Sequence, residues 1–177
     1  AVLGALASGF LWVSLAWAQP LQVSKPISVS QPVSVSTPVS VAVNALPTGG
    51  QVVQGAANIS QAGNTLSINQ DTAKAVINWQ SFDIGSGAKV NILQPTSQSV
   101  LLNRVLSDNP SQIMGQLNAN GQVVLVNPRG IVIGSDGSVN TSGFTASSLN
   151  ISDADFMKGQ YRYSRDGATG EVINQGT

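Results

Sequence analysis

The chain of 177 residues contains no cysteine and no histidine, and only 9% of its residues are charged. It therefore lacks thiol nucleophiles, the most common metal ligands and the most common general base. Lys and Arg number 8, Asp and Glu also number 8, and the sequence has no basic cluster that could neutralise phosphates. Nucleic-acid binding is therefore not expected. We expect no cofactor and no metal either.

The residues that dominate instead are Gly, Ser, Asn, Gln and Val. This composition favours short strands separated by turns and disfavours helix bundles. It leaves two all-β architectures open, a sandwich and a solenoid. In a solenoid, each rung buries only a narrow inward row of side chains, and the neighbouring rungs supply the remaining burial.

Residues 1–18 are uncharged and mostly apolar, and they end in Ala16-Trp17-Ala18, followed by Gln19. A short apolar core followed by a small–x–small site predicts a secretory signal peptide, cleaved between Ala18 and Gln19. The usual basic leader and the start Met are missing, so we expect the sequence to be truncated at its front. A membrane anchor is the alternative, but the run is short for a span and lacks flanking Lys or Arg.

Residues 19–51 form a low-complexity segment that contains a repeat of six residues. Its copies are Val23–Ser28, Val29–Ser34 and Val35–Ser40, and each has proline at the fourth position. Alternating Val and Ser favours a strand, but each proline removes a ladder donor, which excludes a central strand. The segment is predicted to be an extended, semi-rigid linker, with the folded domain at residues 52–177.

Two strand-like runs lie on either side of Asn127-Pro128-Arg129-Gly130. This segment fits a type I turn, with Asn first, Pro second and Gly fourth. Because a plain type I turn splays the strands of a two-residue hairpin, a corner between consecutive strands of a solenoid fits better. A longer hairpin loop built on a type I turn remains the alternative.

Several other segments have strand patterns. Residues 75–84 predict a strand in which Ile77 and Trp79 oppose Val76, Phe82 and Ile84, with a bend near Gln80. A hairpin about Gly63-Asn64 and further strands are predicted at Ile59–Gln61, Thr65–Asn69, Val90–Leu93, Val100–Val105, Ser138–Thr141, Phe144–Ile151, Tyr161–Tyr163 and Glu171–Ile173, the last two around a turn at Gly167–Gly170.

Two segments have helical features. Ser107–Leu117 fits either a short helix that starts at Pro110 or a strand in which Ile113, Gly115 and Leu117 alternate. The surrounding strands favour the strand. Asp153–Met157 predicts one helical turn.

Six segments of the chain form a set of motifs in a fixed order: Ile77–Gly85, Leu102–Val105, Ser111–Leu117, Asn120–Ile131, Ser152–Gly159 and Val172–Gly176. Together they resemble the secretion domain of filamentous haemagglutinins and related adhesins, and the resemblance covers residues 53–177. It implies a right-handed parallel β-helix with extra-helical hairpins, in a two-partner secretion system of a Gram-negative bacterium.

The resemblance also implies a partner, an outer-membrane barrel transporter with periplasmic docking domains. This transporter would export the whole exoprotein through the periplasm to the cell surface. The corresponding motif for transporter recognition is Asn127, Pro128, Arg129, Gly130 and Ile131. The family usually has Asn at the position of Arg129, and its second motif, Asn-Pro-Asn-Leu, is absent here. The motif acts either as a recognition signal or as a corner that the fold requires, and the sequence leaves both open.

The exoprotein implied by the resemblance is an adhesin or haemagglutinin, with its host-cell or surface receptors bound by a region beyond Thr177. A haemolysin and a contact-dependent toxin are the alternatives within this family. Haem capture, a role of some relatives, is not expected of this segment, because it has no His, Cys or Tyr-rich pocket.

A carbohydrate-cleaving β-helix enzyme is the competing class of function. That chemistry needs paired carboxylates, one with a shifted pKa. The candidates are Asp83, Asp136, Asp153 and Asp155, yet turn formation and helix starts account for acids at such positions. We therefore predict that the chain is not an enzyme.

Overall fold

The computed structural model describes residues 41–177, so the predicted signal peptide, its cleavage residues Ala16, Ala18 and Gln19, and the six-residue repeats lie outside the described residues. One short helix, α1 (Asp153–Met157), accompanies the strands of the described part. No helix within residues 41–177 is long and apolar enough to cross a membrane. The strands are β1 Gln51–Gln54, β2 Ala57–Ala62, β3 Thr65–Gln70, β4 Lys74–Trp79, β5 Lys89–Leu93, β6 Val100–Val105, β7 Ser111–Ile113, β8 Gln116–Ala119, β9 Gln122–Val126, β10 Ile131–Ile133, β11 Ser138–Asn140, β12 Gly143–Ser147, β13 Asn150–Ile151, β14 Tyr163–Ser164 and β15 Val172–Asn174.

The strands stack into a parallel β-solenoid with three faces. Sheet 1 has the order β1-β4-β6-β9-β12, sheet 2 the order β11-β8-β5-β3-β2, and sheet 3 the order β15-β10-β7. Along the chain, β5, β6 and β7 visit sheets 2, 1 and 3 in turn, and β8, β9 and β10 repeat that course in parallel register. The predicted all-β solenoid is confirmed, and the sandwich is excluded.

The interior of the solenoid is filled by the inward rows of the three sheets. Ile77, Leu101, Leu117 and Ile131 have no exposed surface, and burying each such side chain stabilises the fold by about 1.5–3 kcal/mol. One polar group lies among them: the Asn103 Oδ1 accepts a hydrogen bond of 3.0 Å from the indole N–H of Trp79. The core therefore includes a directional contact between two successive rungs.

The amino-terminal end of the solenoid carries strands that run against the rungs below them. Strand β1 pairs antiparallel with β4, and β2 pairs antiparallel with β3. The β2–β3 hairpin turns at Gly63, whose φ of 57° suits glycine, as in a two-residue hairpin turn. This confirms the predicted hairpin. Leu46, upstream of β1, is buried in the same interior core.

A second apolar cluster lies outside the solenoid, on the outer face of sheet 1. Val76, Leu102 and Val124 point away from the interior and are covered by the segment from β13 through α1 to β14, here called the excursion. Its Phe156 has no exposed surface. Strands β13 and β14 pair antiparallel, as expected for an extra-helical hairpin. The helical turn predicted at Asp153–Met157 is confirmed.

Several details differ from the sequence-based expectation, among them the division of Phe144–Ile151 between β12 and β13. Strand β4 ends at Trp79, and after the phase slip near Gln80, Phe82 and Ile84 join Ile77 and Trp79 in the interior instead of opposing them. Strands β14 and β15 belong to different sheets, so they do not flank one local turn. Strand β14 comprises Tyr163–Ser164, whereas the sequence predicted Tyr161–Tyr163.

A further difference concerns Ser107–Leu117, which forms strands and no helix. It forms two of them, β7 and β8, separated by a corner at Gly115, so Ile113 and Leu117 lie in different sheets. A Cβ at Gly115 would lie 2.2 Å from the Gly85 carbonyl oxygen. Close backbone approach between rungs therefore requires glycine at this corner.

Candidate functional site

The segment Asn127–Gly130 links β9 in sheet 1 to β10 in sheet 3. The Gly130 N–H donates to the Asn127 carbonyl at 3.0 Å, which closes the turn, and Gly130 has a φ of 111°. Because β9 and β10 lie in different sheets, the turn is a corner of the solenoid and not a hairpin, as the sequence predicted.

The Asn127 side chain has no exposed surface, and both its amide oxygen and its amide nitrogen form hydrogen bonds. Its Oδ1 accepts a hydrogen bond of 2.9 Å from the Arg129 N–H, inside the same turn. Its Nδ2 donates to the Asn109 carbonyl and to the Ser111 Oγ, each at 3.0 Å. Asn109 and Ser111 belong to the preceding rung, so this single amide holds two consecutive corners together.

The following rung covers the same corner from the other side. The N–H groups of Thr169 and Gly170 both donate to the Pro128 carbonyl at 3.0 Å. A Cβ at Gly170 would lie 2.1 Å from the Gly130 nitrogen, so only glycine fits this contact. The corner is therefore enclosed between the rung before it and the rung after it.

Only part of the five-residue motif reaches the surface. Asn127, Gly130 and Ile131 are buried, Pro128 is half-buried, and Arg129 is exposed. The Arg129 guanidinium contacts the Asp108 carboxylate at 2.5 Å through Nη2 and at 3.0 Å through Nε. A cleft of about 300 Å³ runs beside this pair, and its lining includes Leu106, which is 65% exposed.

Two cations from sheet 1 fasten the excursion. The Arg104 guanidinium forms an ion pair of 2.7 Å with Asp153 and donates to the Asn150 Oδ1 at 3.1 Å and the Ile151 carbonyl at 2.5 Å. The Lys74 Nζ donates at 3.2 Å to the Phe156 carbonyl, at the carboxyl end of α1, where a cation is favoured. Sequence reasoning missed both roles; the available signal was a lone charged residue within or beside an apolar strand.

The four carboxylates considered for catalysis have separate structural roles. Asp83 accepts a hydrogen bond of 2.8 Å from the Gln112 N–H, and burial raises the pKa of this carboxyl above its ordinary value of 3.8, against the opposing effect of that hydrogen bond. Asp153 pairs with Arg104, Asp155 follows the Ser152 N-cap, and Asp136 lies in the turn closed by Gly134 and Gly137.

These carboxylates lie on different elements, except that Asp153 and Asp155 share α1. Within residues 41–177, no group of three or more His, Cys, Asp or Glu residues could hold a metal ion. The Asn127 corner itself is held by hydrogen bonds and packing, and its exposed surface lies at Pro128 and Arg129.

Known proteins resemble this chain over the described part. A family model for the TPS secretion domain matches residues 43–177. Two Haemophilus influenzae proteins, both named heme/hemopexin-binding protein, are 40% identical over 134 residues and 36% identical over 111 residues. These matches cover 74% and 63% of this chain but 15% and 12% of the two relatives, so the chain spans a small part of their length.

A solved structure has the same fold. The crystal structure of the HMW1 secretion domain from Haemophilus influenzae has a TM-score of 0.70 and 40% sequence identity to this chain, covering 73% of this chain and 35% of that one. The relatives are secretion domains and haem-binding proteins, and none is named as an enzyme. The chain belongs to the TPS secretion domain family, proteins of two-partner secretion that Gram-negative bacteria secrete through the outer membrane with a transporter partner.

Proposed function

We propose that this domain targets a large exoprotein for export, is recognised by its outer-membrane barrel transporter through periplasmic docking domains, and then nucleates β-helix folding at the cell surface. The observation that carries the proposal is the enclosed corner at Asn127, whose side chain joins two rungs while the next rung covers its carbonyl side. Rung-by-rung stacking makes folding local and propagating, as in other solenoids.

Within the motif, we assign different roles to buried and exposed residues. Asn127, Gly130 and Ile131 build the corner, and they act on export through the fold. Pro128 and Arg129 form the part of the motif that a partner can touch in the folded domain. Arg129 replaces the family's usual Asn, so its exposed side chain is the position at which this motif can set partner specificity.

A secretion assay tests the proposal. The chain, placed behind a complete signal sequence, is expressed in a Gram-negative host with and without the cognate transporter, and protein is measured in periplasm and medium. We expect the chain in the medium only when the transporter is present. Equal retention in the periplasm in both strains would contradict the targeting function.

Two variants separate the proposed roles. Asn127→Ala removes the buried amide, so we expect both lower stability of the purified domain and lower secretion. Arg129→Asn restores the family's usual residue and leaves the corner's hydrogen bonds intact; we expect unchanged stability and a changed efficiency with the cognate transporter. Secretion lost in Asn127→Ala while the purified domain keeps its parent stability would show instead that Asn127 is read directly as a signal.

The activity of the whole exoprotein is a separate proposal. The sequence favours an adhesin or haemagglutinin, whereas the names of the two Haemophilus relatives favour capture of haem or haemopexin. The chain has no His or Cys to ligate haem, and it matches only 15% and 12% of the length of the two relatives, so we assign either activity to residues beyond Thr177. Binding of haem–haemopexin to the full exoprotein but not to this domain would support the capture role, and adhesion to host cells without such binding would support the adhesin role.

A further inference from the structure

The outer face of sheet 2 differs from the outer face of sheet 1. The outer face of sheet 1 is apolar and lies under the excursion, whereas the outward side chains of sheet 2 are mostly polar and are half-buried or exposed. Strand spacing places such side chains about 4.8 Å apart from one rung to the next. One outward row, here called the amide ladder, has a residue from each of the five strands: Ser60, Ser67, Asn91, Asn118 and Asn140.

A shallow cleft of about 360 Å³ follows this ladder. Its lining includes the ladder residues from Ser67 to Asn140 and, from the next outward row, Asn69 and Leu93. The Leu93 side chain is 62% exposed, so it offers an apolar surface beside the amides. None of the residues that line the cleft is charged. A ligand in this cleft therefore meets amides, a hydroxyl and apolar surface, but no countercharge.

Several amide groups of the cleft have no hydrogen-bond partner within residues 41–177. The Asn118 Nδ2 donates to the Asn91 Oδ1 at 3.2 Å, which leaves the Asn91 Nδ2 as a free donor and the Asn118 Oδ1 as a free acceptor. The side chains of Asn69 and Asn140 are exposed and form no hydrogen bond with the described residues. The ladder thus presents donors and acceptors in alternation to whatever lies in the cleft.

The size of this face disfavours a protein partner. Five strands about 4.8 Å apart, with two or three outward positions on each, give a face of about 300 Å². A stable protein–protein interface buries about 800 Å² on each partner. A second copy of the chain that stacked its own sheet 2 on this face would bury less than half of that area. The face suits a short, narrow ligand that lies along the ladder.

The chemistry of the cleft indicates the class of that ligand. An asparagine amide and a sugar hydroxyl each have a donor and an acceptor, so the two groups can satisfy one another. The rungs repeat at nearly the length of one sugar unit in an extended glycan, which lets successive units meet successive amides. The apolar C–H face of a sugar ring can pack on Leu93. An ionic ligand is disfavoured, because a charge that loses water without gaining a countercharge is costly.

We propose that the outer face of sheet 2 binds a neutral, extended glycan chain along the amide ladder. The Asn91 Nδ2 donates to the glycan, the Asn118 Oδ1 accepts from it, and Leu93 contacts a ring face. Proteins of this family are secreted through the outer membrane, so the glycan is one that lies outside the secreting cell. The site gives the domain a binding activity of its own, besides those assigned to residues beyond Thr177. It is separate from the Asn127 corner, which joins sheets 1 and 3.

An NMR titration of the purified chain tests the proposal without the transporter. The probes are two neutral, extended oligosaccharides, tetra-N-acetylchitotetraose and cellotetraose. We expect at least one of them to shift the side-chain amide signals of Asn69, Asn91, Asn118 and Asn140 along a single saturating curve. If neither probe shifts these signals, the proposal is wrong.

Matched variants locate the site. Asn91→Asp keeps the oxygen that accepts from Asn118 and removes the free donor, so we expect about tenfold weaker binding of the probe. Leu93→Ser removes the apolar contact and should also weaken binding. Asn58→Asp is the control, because Asn58 is opposite Asn69 on the same outer face but does not line the cleft. It adds the same charge as Asn91→Asp, and we expect parent affinity.

All three substituted side chains are half-buried or exposed, so the Tm of each variant should stay near that of the parent. Equal weakening of binding by Asn91→Asp and Asn58→Asp would overturn the proposal, because the effect would come from charge and not from the ladder. Tighter binding of a sulfated tetrasaccharide than of both neutral probes would also overturn it. That result would indicate an electrostatic site at Lys89, the cation on this outer face.

Discussion

Arg104 on β6 and Asp153 at the start of α1 form an ion pair of 2.7 Å that ties the excursion to the outer face of sheet 1. The Arg104 side chain is 11% exposed and the Asp153 side chain 32% exposed. The other Arg–Asp pair of the described residues, Arg129 with Asp108, is 40% and 88% exposed. The two pairs have similar chemistry but different solvation, which makes them a matched comparison.

We predict that Arg104→Ala lowers the free energy of unfolding by about 2–4 kcal/mol, because it leaves Asp153 and the Ile151 carbonyl without their partner in a partly buried place. Arg129→Ala should cost less than about 1 kcal/mol, since exposed pairs contribute little. Urea unfolding of both variants measures the difference. Similar losses of unfolding free energy in the two variants would contradict the assignment of Arg104 as the residue that holds the excursion on sheet 1.

The hydrogen bond between Trp79 and Asn103 should show energetic coupling. Asn103→Leu leaves the buried indole N–H unpaired, which costs about 1–3 kcal/mol, although it also removes the Asn103 Nδ2, which has no partner among the described residues. In the double variant with Trp79→Phe, both polar groups are gone. We expect the double variant to be about 1 kcal/mol more stable than the sum of the single losses predicts.

A double-mutant cycle by chemical denaturation supplies this number. Additive losses would mean that the contact contributes nothing beyond packing.

Phe156 is the main apolar anchor of the excursion. Phe156→Ala should cost about 3 kcal/mol or more, because a fully buried aromatic side chain is removed from Val76, Leu102 and their neighbours. The loss should be local: amides of residues 150–164 should exchange faster, while those of β6 and β9 keep their protection. Met157 lies on the same helix and is exposed, and Met157→Ala serves as the control with a small effect. Uniform loss of protection along the chain would show that the outer cluster and the solenoid unfold together.

Asp83 should make stability depend on pH. Burial raises the pKa of this carboxyl in the folded chain above its unfolded value of 3.8, so its contribution is complete below that value and is lost as the pH rises through the folded pKa. Asp83→Asn keeps an oxygen to accept from the Gln112 N–H and cannot ionise. We expect the Tm difference, variant minus parent, to increase as the pH rises from about 3 to 7. A Tm difference that is constant or shrinks over this range would contradict the prediction.

The corner at Asn127 could be predicted from sequence because its causes are local. Asn, Pro and Gly at fixed positions select the turn type, and the splay of a type I turn excludes a tight hairpin. The short helix was predictable for the same reason, from its N-cap and first-turn acids. The Gly115 corner was missed because alternation of Ile113, Gly115 and Leu117 does not reveal which glycine lies against another backbone.

The apolar cluster on the outer face of sheet 1 and the Arg104 ion pair depend on contacts between residues that are distant in sequence, and hydrophobic periodicity does not reveal such contacts. A continuous apolar run is formed by Val100, Leu101 and Leu102. Such a run indicates a strand that is buried on both faces, but it does not identify the segment that covers the second face. That cover comes from Phe156, in a segment far along the chain. The role of Arg104 follows from the same contact: a lone charge in an apolar strand marks the residue, but it does not identify Asp153 as its partner.

The hydrogen bonds from Thr169 and Gly170 to the Pro128 carbonyl also impose a chronology. In a chain that folds from its amino terminus, the Asn127 turn can close as soon as Ser111 and Asn109 are in place. The Pro128 carbonyl has no partner until the excursion has folded and the chain has returned to sheet 3. During that interval the Pro128 carbonyl and the Ile131 N–H can pair with a strand of another protein, and this becomes impossible once the Glu171 carbonyl has bound the Ile131 N–H.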